Sequence, residues 1–204
     1  MRKVKDARAN YQSNGKRYTP AEYLARERAA DFKSEYYDGE ILMMAGGTAN
    51  HSIISGNAHT LLNNALEAKP CVVFNSDMRL QLARKQNYVY PDVMVVCGKI
   101  DYVDGRNDTI ANPLVIVEVL SPSTYRQDFT KKFSLYKQLD SLQAYIMVDS
   151  EQVHTWCIQR DAEGNMWHVE IANKLREYVR IKALDCTLSL RRMYAKVQFD
   201  EPVK

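Results

Sequence analysis

The sequence lacks the usual features of membrane and secreted proteins. It contains no run of about eighteen apolar residues, and its mean hydropathy is −0.43, so a membrane-spanning helix is not expected. The N-terminal segment MRKVKDARANYQSNGKR lacks the apolar stretch of a secretory signal. We therefore expect a soluble protein that resides in the cytoplasm.

Cysteine is scarce and carries no recognisable motif. The chain has four cysteines, none of them in a C-x-x-C pair: Cys71, Cys97, Cys157 and Cys186. A zinc site or a dithiol redox motif is therefore not expected. We predict four buried, reduced thiols, which behave as small hydrophobic side chains.

Sequence signatures of nucleic-acid recognition are also missing. We find no helix-turn-helix, zinc finger or aromatic RNA-binding motif, and no internal repeat or low-complexity linker. The net charge of +3 is compatible with a polyanionic partner but does not require one. Charge alone therefore does not decide between binding partners.

Basic residues are concentrated at the N-terminus. Residues 1–17 hold six Lys or Arg against one Asp, and we predict that they form a flexible basic tail. Arg2, Lys3 and Lys5 are candidates for phosphate contacts there, although such a tail is more often only solvated. With 204 residues and 46% hydrophobic content, we expect one domain over 18–199 and a short tail at 200–204.

The hydrophobic pattern predicts a mixed α/β (α+β) fold around one sheet. A capping box (Thr19, Pro20, Glu22) begins a helix that ends near Ala30, and Asp38-Gly39 marks a turn between two short strands. Three further helices are predicted at 48–68, 128–139 and 188–194. Further strands are predicted at 71–74, 78–82, 88–96, 113–120, 144–149, 152–160 and 166–171.

One residue in the apolar strand PLVIVEVL is out of place. A buried carboxylate such as that of Glu118 must be paired, protonated or bound to a metal. Asp92 follows Pro91 on a predicted neighbouring strand, and two converging carboxylates suit Mg²⁺ or Mn²⁺. From spacing alone, a structural role is about as good an interpretation, with Glu118 paired to an Arg or capped by backbone N–H groups.

Several segments together resemble one known family. PDVMVV, NPLVIVEVLSPST, DFTKKFSLYKQLDSLQAYIMVD and SEYYDGEILMMAGGTANHSIISGN are similar to motifs of the Uma2 (DUF820) family of restriction-endonuclease-like proteins. The resemblance runs from about Tyr18 to Phe199. It implies the PD-(D/E)xK nuclease fold, in which a mixed central β-sheet flanked by helices presents two acids and a lysine around one or two Mg²⁺ ions.

The resemblance assigns roles to individual residues. Asp92 and Glu118 match the two acids, but the position two residues after Glu118, where the superfamily lysine would stand, is Leu120. The family pattern implies that the lysine has moved to the next helix, at Lys132. Lys131 points about 100° around that helix and is expected to be solvated.

Other residues have weaker claims. Glu35 fits the N-terminal acid of the family, which helps to hold metal; its alternative is an exposed acid on a hairpin. His51 could polarise a phosphate or a water, although a lone His at a helix start is more often structural. The remaining candidates are Asp77, Gln143, Asp128 (as a partner of Lys131 or Lys132), Arg126 and Lys137, whereas Asp38 belongs to the turn.

The function implied by the resemblance is that of an endodeoxyribonuclease dependent on Mg²⁺ or Mn²⁺, which hydrolyses DNA phosphodiester bonds. Asp92, Glu118 and the carbonyl of Val119 would hold the metal, and Lys132 would orient the attacking water. DNA is favoured over RNA only by the resemblance, and double-strand cutting makes a homodimer a reasonable expectation. The alternatives are a catalytically silent nuclease-fold module that binds nucleic acid or a protein, and a metal-free structural protein in which Arg or Lys neutralises Glu118.

Overall fold

Three β-sheets and four α-helices form the part of the chain described by the structure, a computed structural model. That part comprises residues 16–44, 46–82, 87–121, 131–161, 163–164 and 166–199. The predicted mixed α+β class, with β-sheet flanked by helices, is confirmed. The expectation of one sheet is wrong, because the strands divide into a six-stranded, a five-stranded and a two-stranded sheet. No helix among the described residues is long and apolar enough to cross a membrane.

The N-terminal elements follow their local sequence signals. Helix α1 (Pro20–Ala29) begins with the predicted capping box, in which Glu22 N donates to Thr19 Oγ1 at 3.2 Å. Strands β1 (Ser34–Tyr37) and β2 (Glu40–Met43) form a hairpin whose turn residues, Asp38 and Gly39, have φ values of 43° and 94°. Both residue types tolerate this left-handed conformation. Helix α2 (Ala49–Leu66) follows, capped by Thr48.

The remaining elements are mostly strands. In chain order they are β3 (Cys71–Asn75), β4 (Arg79–Leu82), β5 (Asn87–Val89), β6 (Val93–Cys97), β7 (Thr109–Ile110), β8 (Val115–Leu120), α3 (Phe133–Tyr136), β9 (Ala144–Asp149), β10 (Thr155–Arg160), β11 (Trp167–Ala172), β12 (Tyr178–Ile181), β13 (Cys186–Ser189) and α4 (Leu190–Met193). The six-stranded sheet has the order β11-β10-β9-β8-β6-β3, and the five-stranded sheet has the order β2-β1-β5-β4-β7. Strands β12 and β13 form the third sheet.

The central strands β8 and β9 of the six-stranded sheet are buried on both faces, which explains their unbroken apolar runs. Its α2 face, which includes Val93 and Val117, packs against α2, α4 and the β12–β13 hairpin. Its α3 face, which includes Met94 and Ile116, packs against α3 and the five-stranded sheet. Because side chains alternate along a strand, Glu118 lies on the α3 face with Ile116 and Leu120.

The predicted strand 88–96 is in fact two strands that belong to different sheets. β5 ends at Val89 in the five-stranded sheet, and β6 begins at Val93 in the six-stranded sheet. Pro91 lies between them and has no N–H to donate to a strand ladder, which accounts for the break. The prediction was wrong because both halves have the same apolar character.

Two predicted helices are shorter than expected. In the predicted helix 128–139, the stretch up to residue 130, with Asp128, lies outside the described residues. The chain then leaves α3 after Tyr136 through tight turns. One of these turns is closed by a 3.1 Å hydrogen bond from Gln138 N to Leu135 O. At the predicted helix 188–194, Leu188 is instead part of β13 and pairs with Val179. The β12–β13 hairpin and β7 were not predicted from the sequence.

The prediction of four reduced thiols was also wrong. Cys71 and Cys97 form a disulfide, since the register of β3 and β6 places them directly opposite each other. Cys157 and Cys186 are free, and burial raises the pKa of the Cys157 thiol to about 12. Cys157 therefore fits the expected behaviour of a buried, small hydrophobic side chain.

Candidate acid and lysine site

The candidate residues gather where β6 and β8 separate. β6 begins at Val93, which pairs with Val117, and continuing this register by one residue places Asp92 opposite Glu118. Asp92 Oδ2 accepts a hydrogen bond from the backbone N of Val119 at 2.7 Å. The carboxylate takes the place of a ladder partner that β6 does not provide, and it is held at the backbone of the residue that follows Glu118.

Glu118 is buried, with 3% of its surface exposed, and its side chain lies on the α3 face of the sheet. Its Oε1 atom accepts a hydrogen bond from Lys132 Nζ at 3.1 Å and another from the Tyr136 hydroxyl at 2.6 Å. The acid is therefore compensated by a lysine and a phenol of the chain itself. This contact is compatible both with a catalytic acid and lysine pair and with the structural alternative.

Lys132 is held between two carboxylates. Its Nζ atom lies 3.1 Å from Glu118 Oε1 and 3.3 Å from Glu35 Oε1, and 7% of the residue is exposed. Burial on its own lowers the pKa of Lys132, but the charges of Glu118 and Glu35 outweigh burial and hold the pKa well above its usual value. The lysine is a fixed ammonium ion at neutral pH.

Glu35 reaches the same cluster from β1 in the other large sheet. Its Oε2 atom accepts a hydrogen bond from the Tyr37 hydroxyl at 3.0 Å. Its buried Oε1 atom accepts no hydrogen bond from any described residue, although the ammonium of Lys132 is 3.3 Å away. Burial, followed by the negative charge of Glu35, raises the pKa of Tyr37 well above its usual value, so the phenol stays protonated as a donor.

His51 approaches Asp92 from the first turn of α2. Its Nε2 atom lies 3.2 Å from Asp92 Oδ2, and its backbone N donates to Thr48 Oγ1 at 3.2 Å. A methyl group added at Gly47 would lie 2.8 Å from the Nδ1 atom of His51, so the ring packs directly against the backbone. The imidazole is thus positioned by its own helix cap and by the adjacent glycine.

Other sequence candidates lie away from this cluster. Asp77 is exposed and forms an ion pair with Lys33. Gln143 precedes β9, at the end of the β8–β9 pair opposite to Glu118. Lys131 is exposed, as predicted, with its ammonium 4.6 Å from the centre of the Tyr37 ring.

Six further candidates lie outside the site or outside the described residues. The exposed Lys137 offers its backbone carbonyl to Arg160 at 3.2 Å and makes no contact with the acids among the described residues. Arg126, Asp128 and the tail residues Arg2, Lys3 and Lys5 are outside the described residues. The site therefore consists of Glu35, His51, Asp92, Glu118 and Lys132.

Sequence reasoning missed the two tyrosines of the cluster. Tyr136 lies four residues after Lys132, and residues at this spacing lie on the same side of a helix. Tyr37 lies two residues after Glu35, and residues at that spacing share one face of a strand. Both spacings were visible in the sequence, but their significance depends on knowing that these two elements face each other.

The acids do not converge on one point as a ready-made metal site. Among the described residues, no group of three or more His, Cys, Asp or Glu side chains is arranged to hold a metal ion. Glu35 and Glu118 flank Lys132, whereas Asp92 contacts His51 and Val119. A metal held here by the described residues alone therefore requires a donor set other than three such side chains.

Comparison with known proteins identifies first the class and then the family. A crystal structure from Anabaena variabilis, described as that of a "putative nuclease belonging to DUF820", matches with a TM-score of 0.68 over 89% of this chain and 99% of that chain. At 18% sequence identity, this likeness establishes a shared fold. The chain therefore has the same fold as that DUF820 protein.

The chain belongs to the Uma2 family. The family model, described as "Putative restriction endonuclease", matches residues 20–191. The uncharacterized protein slr1290 of Synechocystis sp. is 36% identical over 183 residues, which cover 89% of this chain and 93% of the relative. A second Synechocystis protein, sll1609, is 40% identical over 131 residues, or 64% of this chain and 74% of the relative. The predicted family is confirmed, and membership supports a nuclease in general.

Proposed function

We propose that this protein is a metal-dependent endonuclease that hydrolyses DNA phosphodiester bonds, with Mg²⁺ or Mn²⁺ held by Asp92 and Glu118. The observation that carries the proposal is the 2.7 Å hydrogen bond from Val119 N to Asp92 Oδ2, because it ties one acid to the residue that follows the other. Two acids so placed favour a cation between them.

The backbone of Val119 offers a third oxygen. Continuing the β6–β8 register by two residues pairs Val119 with Pro91, which has no N–H to donate to the Val119 carbonyl. In an antiparallel ladder, the N–H and C=O of one residue point to the same neighbouring strand. The carbonyl therefore faces the side on which Asp92 binds the N–H. Two carboxylates and a carbonyl, completed by water, suit Mg²⁺.

The charge of the cluster supports a cation as well. Among the described residues, Glu35 and Glu118 share the ammonium ion of Lys132, and Asp92 lies 3.2 Å from the imidazole of His51. Acids that gather in a largely buried place are stabilised by a divalent ion. When bound, such an ion supplies a water of lowered pKa and stabilises charge that develops on the phosphate.

Lys132 is the proposed catalytic lysine. Leu120, at the usual position two residues after the second acid, is 1% exposed in the apolar core and offers no charge. Lys132 instead presents its ammonium to Glu118 at 3.1 Å from the following helix. In the proposed mechanism it orients the attacking water and adds positive charge beside the phosphate. Glu35 keeps this ammonium in place from the opposite side.

The proposal is tested by nicking of a supercoiled plasmid with Mg²⁺ or Mn²⁺. Wild-type protein is expected to nick the plasmid, and Asp92→Ala and Glu118→Gln are expected to lose most of the rate. The matched control is Asp77→Ala, which removes an exposed acid in an ion pair with Lys33 and leaves the rate unchanged. Equal cleavage by wild-type protein and Asp92→Ala would contradict the proposal, and a parallel assay on RNA tests the choice of DNA.

A second candidate function is a nuclease-fold module that binds nucleic acid or a protein without cutting. It is favoured by the contacts of Glu118, whose Oε1 atom already accepts from Lys132 and Tyr136 at 3.1 and 2.6 Å. This function would be selected if calorimetry detected no binding of Mg²⁺ or Mn²⁺ to the protein while the protein still bound a DNA duplex. Metal binding that is lost in Asp92→Asn would reject it.

A further inference from the structure

Strand β11 is an open, apolar edge of the six-stranded sheet. It pairs only with β10 among the described residues. Its sequence, WHVEIA, contains neither lysine nor proline, two of the residues that commonly protect an edge from further pairing, and its one acid, Glu170, lies 3.4 Å from Lys182 between β12 and β13. Val169 and Ile171 are 55% and 58% exposed. A long apolar edge of this kind is suited to pair with another strand.

The apolar surface extends beyond the strand itself. Trp156 and Ile158 of β10 are opposite Ile171 and Val169, so the exposed pair continues the α3 face out to the edge. Nine large apolar residues are exposed in the described part of the chain, and five of them fall between 166 and 178. These five are Met166, Val169, Ile171, Leu175 and Tyr178.

The backbone groups that point outward can be assigned. Asp161 N donates to Met166 O at 2.9 Å, so 161 and 166 form a hydrogen-bonded pair of the β10–β11 ladder. Such pairs recur every second residue, and His168 and Glu170 therefore bond to β10. The N–H and C=O groups of Trp167, Val169 and Ile171 face away from the sheet.

We propose that β11 pairs antiparallel with β11 of a second copy of this chain, around a twofold axis at Val169. In this register the outward-facing residues form three hydrogen-bonded pairs, with Trp167 opposite Ile171 and Val169 opposite itself. His168 of each copy then lies opposite Glu170 of the other. The imidazole and the carboxylate attract, because opposite charges or a hydrogen bond stabilise cross-strand pairs.

Charge selects this register over its neighbours. A shift of the axis by one residue places His168 opposite His168, or Glu170 opposite Glu170, and like groups directly opposite are destabilising. Pairing of β11 with the other sheet edge, β3, is head-to-tail and leaves free edges at both ends. The β11–β11 pair is closed, and it does not depend on the proposed nuclease activity.

The first test is the mass of the full chain in solution, measured by light scattering after gel filtration. The wild-type protein is expected at twice its chain mass of 23.5 kDa, and Val169→Lys at 23.5 kDa. Val169 is exposed, so this substitution leaves the core intact. The control is Val72→Lys, an equivalent change at the 43% exposed Val72 of β3, which keeps the double mass. A wild-type mass of 23.5 kDa, or an unchanged mass for Val169→Lys, overturns the proposal.

The second test determines the register by cross-linking. Hydrogen-bonded antiparallel pairs have Cα atoms about 5.5 Å apart, within the range that a disulfide spans. Val169→Cys is therefore expected to form a covalent dimer on a non-reducing gel. Ile171→Cys is the matched control, because its two copies are four residues out of register and about 14 Å apart. Equal cross-linking at both positions, or at Ile171 alone, overturns the register.

Discussion

Replacement of Lys132 by Met should destabilise the protein strongly, whether or not the site is catalytic. The ammonium ion lies within 3.3 Å of two buried carboxylates, and the variant removes this cation from both of them. Removal of one partner from a buried charge pair destabilises by about 3–5 kcal/mol. We therefore expect the free energy of unfolding of Lys132→Met to fall by about this amount, measured by urea unfolding at pH 7.

The pH dependence of the free energy of unfolding tests the same prediction in a second way. The pKa of Lys132 is raised in the folded protein above its usual value of 10.5, so its contribution is complete below 10.5 and lost as pH rises through the folded pKa. The stability difference between wild-type protein and Lys132→Met should be the same at pH 7 and pH 9. The control is Lys131→Met, whose exposed side chain should contribute little. A loss below about 1 kcal/mol for Lys132→Met, or a difference that shrinks before pH 9, would refute the reasoning.

Three further predictions follow from single contacts. Tyr136→Phe should lower the free energy of unfolding by about 1.5–3 kcal/mol, because it removes a 2.6 Å hydrogen bond to a buried carboxylate; urea unfolding unchanged from wild type would contradict this. Gly47→Ala should lower the rate of plasmid nicking by more than its change in the free energy of unfolding explains, because the new methyl group would lie 2.8 Å from His51 and displace the ring. The control is Gly46→Ala, because a methyl group added at Gly46 would meet no atom within 4 Å. Reduction of the Cys71–Cys97 disulfide, which closes a loop across 26 positions, should lower stability by about 3 kcal/mol, measured by unfolding with and without reductant.

Local signals were sufficient for the elements that depend on neighbouring residues. The capping box at Thr19 and the turn at Asp38-Gly39 are both present, since each depends on side chains and dihedral angles within a few positions. These two predictions were accurate because the interactions behind them are local in the sequence. The long apolar strand that contains Glu118 was predicted for the same reason, because burial on both faces leaves an unbroken β-branched pattern.

Features that depend on distant partners were missed. The Cys71–Cys97 disulfide follows from the register of β3 and β6, which the spacing of the cysteines does not encode. The break at Pro91 separates two sheets, yet the residues on either side are equally apolar. Glu35 and Lys132 meet across elements from different sheets and helices, so only the family resemblance pointed to both.

The sequence predicted which residues form the site better than it predicted how these residues contact one another. Asp92 and Glu118 were predicted to converge if their strands paired, and in the structure Asp92 accepts a hydrogen bond from the backbone N of Val119, the residue after Glu118. The sequence did not predict that a phenol and an ammonium ion would already compensate the buried acid. Packing of α3 against the six-stranded sheet creates these contacts, and helix packing is not readable from local pattern.

The central claim is that a divalent cation binds at Asp92 and Glu118, and calorimetric titration with Mn²⁺ tests it most directly. The wild-type protein is predicted to bind Mn²⁺ saturably, and Asp92→Asn is predicted to lose that binding while Asp77→Asn retains it. Absence of binding to the wild-type protein, or equal binding to wild-type and Asp92→Asn proteins, would contradict the claim.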